Sequence, residues 1–172
     1  MRIGQGYDVH RFAPDRPLRL GGVDIPWHQG LEGHSDADVL CHAITDAILG
    51  AAGQGDIGQH FPPGDPAWKD ADSIDLLGRA VEILERDGYQ VVNVDATVIA
   101  ERPKIGPYAG EMRERLAAVI GIAPTHVSIK ATTNERMGWI GREEGIAAMA
   151  VALIDRMEDL DDLHARVRAG GA

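Results

Sequence analysis

Bulky and polar positions alternate along residues 2–12, with Ile3, Tyr7 and Val9 on one side and Gly4, Gly6, Asp8 and His10 on the other. Side chains repeat every second residue along a strand, so this segment predicts a strand with one face stripped of bulk that ends in two polar ligand types. Residues 18–25 read as a second strand behind a turn at residues 14–17, which Pro14 and Pro17 bound. Beyond a loop at 30–35 the period changes, and Leu40, Ala43, Ile44, Ala47, Ile48 and Ala51 form an apolar stripe. That stripe predicts a helix over about 36–52, opened by Ser35 and Asp38 at capping-box spacing and stopped by Gly53. Asp38, His42 and Asp46 recur every fourth residue, which places them together on the opposite, polar face. Residues 56–68 are rich in Pro and Gly and predict a long loop.

A second helix is expected over 73–87, with Ile74, Leu77, Val81 and Leu84 turned inward and Gly88 as its stop. A β-branched strand over 91–100, a turn at 102–107, a helix over 108–120 and a strand over 126–133 follow. The apolar run 146–154 fits either strand or helix by period, but Gly145 and the crowding of small residues favour a strand. Met157, Leu160, Leu163 and Val167 are spaced for one face of an amphipathic helix over 156–168. The expected organisation is one α/β (α+β) domain over 1–155 and a tail helix or flexible tail over 156–172.

A length of 172 residues suits one domain with one core. No apolar run approaches the ~18 residues of a membrane span, and no signal-peptide core precedes the first strand, so no membrane role and a cytoplasmic location are expected. A net charge of -10 argues against nucleic acid, whose partners concentrate positive charge on one surface. An anionic ligand must then be attracted locally, by metal, helix ends or a few cations. The single cysteine, Cys41, forms no internal disulfide and reads as a small buried filler.

Asp8 and His10 share a strand face, and a helix presenting His42 can close on them to give one carboxylate and two imidazoles, leaving a metal position for substrate. From spacing alone, a solvated strand end beside an unrelated helix histidine stands level with that reading. His34 and Ser35 precede a helix N-terminus, which suits a phosphate, although Ser35 also serves as a cap. Asp56, Ile57 and Gly58, with Phe61 to Asp65, form either a cover over substrate or a plain surface connection. Thr132, Thr133, Asn134 and Glu135 end a strand, where Glu135 is either a ligand for a harder cation or a turn acid. Arg142, near Trp139, is either a phosphate fork or half of a surface ion pair.

Taken together, Gly6-Tyr7-Asp8-Val9-His10, His34-Ser35-Asp36-Ala37-Asp38 with His42 and Asp46, Gly55-Asp56-Ile57-Gly58, Pro103-Lys104, and Lys130-Ala131-Thr132-Thr133 with Glu135 resemble the 2-C-methyl-D-erythritol 2,4-cyclodiphosphate synthases. The similarity runs in order over about residues 1–154. Five separated motifs in register are more specific than any one of them, and they decide between the paired readings above.

The resemblance implies a non-mevalonate isoprenoid enzyme, a phosphorus–oxygen lyase that converts 4-diphosphocytidyl-2-C-methyl-D-erythritol 2-phosphate to the cyclic diphosphate and CMP. It implies zinc at Asp8, His10 and His42, and magnesium or manganese at Glu135 with the substrate diphosphate. His34 and Thr133 match positions that support the transition state, beside Ser35. Asp56, Ile57, Gly58, Phe61 and Asp65 match the loop at the ribose and substrate. Ala100, Pro103, Lys104, Ile105 and Gly106 match the cytosine pocket, while Thr132, Asn134, Trp139 and Arg142 complete the substrate contacts. The implied assembly is a homotrimer packed sheet to sheet around a central cavity that holds isoprenoid diphosphates in relatives, with active sites between subunits. Gln5, Pro63 and Trp139 depart from the usual histidine, aspartate and phenylalanine, which bears on the cavity ligand and the loop. A metal-dependent nucleotide phosphohydrolase and a non-catalytic isoprenoid-diphosphate-binding trimer are the competing readings.

Overall fold

Gly4 and Gly6 set the closest approach in the fold. A Cβ on Gly4 would lie 2.1 Å from the Ala47 carbonyl oxygen, and one on Gly6 would lie 1.9 Å from that of Ala43. The bare strand face predicted from the sequence is therefore a bed on which a helix backbone lies directly. The computed structural model describes residues 1–157. The strands are β1 (Arg2–Ala13), β2 (Leu18–Leu20), β3 (Val23–Ile25), β4 (Gly30–Leu31), β5 (Tyr89–Ile99), β6 (Val127–Thr132) and β7 (Gly145–Arg156). The helices are α1 (Val39–Ala52), α2 (Ile57–His60), α3 (Ser73–Arg86), α4 (Ala109–Ile120) and α5 (Gly138–Gly141).

The main sheet runs β4-β1-β7-β5-β6, and only β5 and β6 pair in parallel. The parallel pair needs a long crossover, which α4 supplies between the two strands. The small residues of β7 have a packing reason: Ala148, Ala150 and Ala152 are buried on the α1 side, opposite Asp8, Gly6 and Gly4. On the other face the register aligns Tyr7 with Met149 and Gln5 with Val151. There Ile3 is 70% exposed, Tyr7 53%, Val9 40%, Met149 41% and Val151 40%. The domain is thus a mixed sheet with helices against one face and an uncovered apolar seam on the other. No helix among the described residues is long and apolar enough to cross a membrane.

Several expectations need correction. Residues 18–25 are not one strand but the hairpin β2–β3, because Gly21 and Gly22 take φ of 57° and 72° and turn the chain. The first helix opens at Asp38 rather than Ser35. Asp38 is fully buried, not on a polar face, and accepts the backbone N–H groups of Leu40 and Cys41 together with those of Gly21 and Gly22. The 56–68 segment is shorter in loop than expected, since Asp56 caps α2 and Asp65 caps a 3-10 turn at Pro66–Trp68. Ile74 is only partly buried, and Leu76 and Ala80 join Leu77, Val81 and Leu84 in the core. The 146–154 run is a strand that extends to Arg156, so the expected tail helix loses its first residue to β7, Met157 is helical, and residues 158–172 lie outside the described part. Cys41 is buried, as expected of a filler.

Because one carboxylate ties the β2–β3 turn to the start of α1, Asp38→Ala strands four buried N–H groups. We expect it to cost about 3 kcal/mol or more, read as a lower urea midpoint at unchanged slope.

Candidate metal centre and active site

Strand β1 carries Asp8 and His10 on the same face as Gly4 and Gly6, so the helix that beds on the glycines also brings His42, in its first turn, over the two ligands. Donor atoms of Asp8, His10 and His42 all lie within 4.8 Å of one another, and theirs is the one such group among the described residues. His10 Nε2 is 2.9 Å from Asp8 Oδ2, His42 Nδ1 is 3.0 Å from the same oxygen, and the two ring nitrogens are 3.2 Å apart. A tetrahedral ion about 2.0–2.1 Å from each imidazole nitrogen would separate them by about 3.3 Å, so the spacing and the donor set both fit a divalent metal. His10 Nδ1 donates to the Glu32 carbonyl at 2.6 Å, which leaves Nε2 free to coordinate. The other Asp8 oxygen accepts the Val9 N–H at 2.8 Å.

Burial pushes the Asp8 carboxyl up, but the hydrogen bonds and charges of His10 and His42 outweigh it and hold the group well below the usual carboxylate range. Burial likewise opposes a charge on His10, yet Asp8 prevails and raises it above 6.5. Without metal, the lowered Asp8 contributes stability above 3.8 that is lost at acid pH, and the raised His10 contributes stability below 6.5 that is lost as pH rises. The metal-free pair is therefore most stabilising between those limits, where a metal must also displace the His10 proton. Metal affinity should fall about tenfold per pH unit below the raised His10 value, with proton release visible by calorimetry in buffers of different ionisation enthalpy. Affinity independent of pH between 5 and 8 would contradict this arrangement.

The open side of the triad faces a cleft of about 160 Å³ lined by His34, Ser35, Ile57, Gly58, Phe61, Pro63, Trp68 and Leu76. His34 Nε2 lies 3.3 Å from the Asp65 carbonyl, and Phe61 meets Trp68 edge-on at 5.1 Å. Asp46, whose pKa burial raises, accepts the Ile57 N–H at 2.8 Å and so fixes Ile57 and Gly58 at the rim, while Asp56 caps α2 just before them. The expected phosphate site at a helix N-terminus is not formed by α1, since Asp38 already takes its first free N–H groups. His34 and Ser35 face the metal cleft instead.

The remaining predicted residues gather elsewhere. Lys104, Thr133 and Glu135 line a cavity of about 430 Å³ with Glu101, Arg102, Arg136, Gly141 and Glu143. Beside it, Ala100, Pro103, Ile105, Gly106 and Thr132 line another of about 270 Å³. These groups follow the ends of β5 and β6, and β6 lies three strands from β1, a lateral offset of about 14 Å. One chain therefore holds the two halves of the expected site apart. Arg142 is exposed, and its Nε lies 2.5 Å from Glu144 Oε1.

Sequence reasoning missed Glu101. Its Oε1 accepts the N–H groups of Asn134 at 3.0 Å and Arg136 at 2.9 Å, bracketing Glu135. Glu135 and Arg136 have φ of 50° and 60°, a left-handed pair that persists only when its surroundings hold it. Glu101→Ala should release that turn and lower turnover up to about 100-fold with little change in zinc content, while Glu101→Gln, which keeps an acceptor oxygen, should retain most activity. Equal rates for the alanine variant and the parent would remove this role.

Comparison with known proteins follows the same outline. The YgbB family model matches residues 1–155. The 2-C-methyl-D-erythritol 2,4-cyclodiphosphate synthase of Symbiobacterium thermophilum is 69% identical over 154 residues, covering 90% of this chain and 98% of the relative. Among solved structures, IspF of Plasmodium falciparum in its CDP complex superposes with a TM-score of 0.79 at 35% identity, over 90% of this chain and 96% of that one. The bifunctional IspDF of Campylobacter jejuni superposes with a TM-score of 0.88 at 41% identity, over 91% of this chain and 42% of that longer one.

Proposed function

The chain belongs to the YgbB family, and from that premise we propose that it is a 2-C-methyl-D-erythritol 2,4-cyclodiphosphate synthase, a CMP-releasing phosphorus–oxygen lyase of the non-mevalonate pathway. The observation that carries the reading is the convergence of Asp8, His10 and His42, open toward a cleft. The substrate is 4-diphosphocytidyl-2-C-methyl-D-erythritol 2-phosphate. An oxygen of its 2-phosphate attacks the phosphorus bonded to the 4-oxygen, and the bond to the cytidylyl phosphate breaks. CMP leaves with the electron pair, so the product is the 2,4-cyclic diphosphate.

The attacking phosphate, with a second pKa near 6, is already mostly ionised near neutrality, so no strong general base is needed. What the protein must do is align two repelling phosphates and neutralise their charge. Zinc at Asp8, His10 and His42, with magnesium or manganese at Glu135, would supply Lewis-acid charge neutralisation. The residues do the rest: His34, Ser35 and Thr133 orient the phosphates, Lys104 and Arg142 add local positive charge, and Asp56, Ile57 and Gly58 hold the ribose. Phe61 and Asp65 cover the substrate, Ala100, Pro103, Ile105 and Gly106 enclose the cytosine, and Thr132, Asn134 and Trp139 complete the contacts. In an acidic chain of net charge -10, that local charge matters most.

The working form is a homotrimer packed sheet to sheet, in which the metal cleft of one subunit meets the nucleotide pocket of its neighbour. Two features support it: the apolar seam of Ile3, Tyr7, Val9, Met149 and Val151, and the distance between the two half-sites within a chain. We place the enzyme in the cytoplasm, with no nucleic-acid or membrane partner. The central cavity, carrying Gln5 and Trp139, is a candidate site for an isoprenoid diphosphate. Phosphorus NMR of purified protein with substrate, zinc and magnesium should show cyclic diphosphate and CMP in equal amounts. Free phosphate would instead indicate a nucleotide phosphohydrolase, and tight isoprenoid-diphosphate binding without turnover a non-catalytic trimer.

A further inference from the structure

His42 has a second ring nitrogen, and what it faces decides whether the first can bind metal. Nε2 lies 2.9 Å from Ser73 Oγ, and Ser73 is fully buried at the start of α3. The same hydroxyl is in short contact with Asp36 Oδ1, while the Ser73 backbone N–H reaches Asp36 Oδ2 at 3.2 Å. Asp36 in turn lies 3.6 Å from the Arg19 guanidinium, which also holds Asp72 at 3.0 Å and Asp24 at 2.9 Å.

The directions of these bonds follow from the chemistry of each group. Facing an arginine, the Asp36 carboxylate only accepts, so the Ser73 hydroxyl donates its proton there. The Ser73 oxygen is left to accept, and the group in reach is the His42 Nε2–H. With its proton on Nε2, neutral His42 can offer a metal the lone pair of Nδ1, in place of the hydrogen bond that Nδ1 makes to Asp8 in the metal-free site. We infer that Ser73 and Asp36, anchored by Arg19, are positioning residues that fix the tautomer and ring orientation of His42 for metal binding. This rests on the metal-centre reading above and adds three residues from β2, the loop before α1 and the start of α3. Ser35 Oγ is the rival partner at 3.2 Å, further off than Ser73 at 2.9 Å, and it also accepts the Ala37 N–H. Its looser contact leaves it free for the cleft.

The test is zinc affinity by competition with a chromophoric chelator, together with the visible spectrum of the cobalt-loaded protein and the melting temperature of the metal-free form. Ser73→Ala removes only an oxygen from a buried position. It should weaken zinc binding by about 10- to 100-fold and alter the cobalt bands, as loss of an outer partner of a ligating imidazole does. Asp36→Asn, whose amide oxygen still accepts, should shift both readouts less and in the same direction. Asp24→Asn, which touches Arg19 from the exposed side, should leave both unchanged. Parent-like zinc affinity and cobalt spectrum in Ser73→Ala would overturn the inference, as would a larger loss in Ser35→Ala than in Ser73→Ala. A fall in metal-free melting temperature that matches the affinity loss, with cobalt bands unmoved, would also overturn it, because the effect would then be structural. If the parent itself binds neither zinc nor cobalt, the metal-centre reading fails with it, a result distinct from the other three.

Discussion

Replacing His42 with alanine should remove bound zinc and lower CMP release by at least about 1,000-fold, while the protein remains folded. The expectation follows from the geometry of the first turn of α1. His42 supplies one of the two imidazoles in a three-ligand set whose donor atoms lie within 4.8 Å. Asp8 and His10 alone would offer a cation two ligands on a strand and a wide opening to water, which is a poor match for a tetrahedral ion. Stability should suffer less than chemistry. In the metal-free state His42 is partly buried and bonded to polar neighbours, and an alanine leaves the helix stripe of Leu40, Ala43, Ile44, Ala47 and Ile48 intact. Metal analysis of the purified variant, paired with a CMP assay at saturating zinc, reads the outcome. A zinc-free variant that still turns over would take His42 out of the chemistry.

The second large effect concerns the bare side of the sheet. Met149 is aligned with Tyr7 on β1 and Thr97 on β5, in the middle of the uncovered face, and is 41% exposed. Met149→Asp costs an isolated chain little, because the side chain there is already wet. In a trimer closed by this face, three carboxylates would be buried close to one another, each desolvated and each repelling the others. We expect a folded monomer by light scattering, with turnover at least about 1,000-fold below the parent. The loss follows from the layout: with β7 and β5 lying between β1 and β6, one chain cannot bring its own Lys104 and Glu135 to its own metal ligands. A trimeric and active Met149→Asp protein would show that this face is not the interface. An active monomer would show that the site is complete within a chain.

How much of this was legible in the sequence depends on whether the controlling interaction was local. Strand β1 was readable from its alternation, and so was the sharing of one face by Asp8 and His10, because period two is a backbone property. That Gly4 and Gly6 serve the α1 backbone was not, since nothing local names the element that beds on them. The hairpin at Gly21-Gly22 was missed although its signal was present. Two adjacent glycines between short apolar runs mark a primed turn, but Leu18, Leu20, Val23 and Ile25 read together as one strand. Asp38 shows helical periodicity misleading: it recurs with His42 and Asp46, yet it sits at the cap, where its carboxylate is drawn inward by four backbone N–H groups. Ser73, Asp36 and Arg19 come from three separate segments, and no spacing rule links them. Glu101 escaped for a similar reason, since what it holds lies more than thirty residues away. The motifs contain the three donor residues that converge, but the residues that orient them come from tertiary packing.

The most direct test of the central claim is anomalous diffraction at the zinc edge from crystals of the zinc-loaded protein. The account predicts one strong peak per chain, equidistant from Asp8 Oδ2, His10 Nε2 and His42 Nδ1 at about 2.0–2.2 Å. A peak elsewhere, or none at full zinc loading with these side chains turned apart, would contradict it.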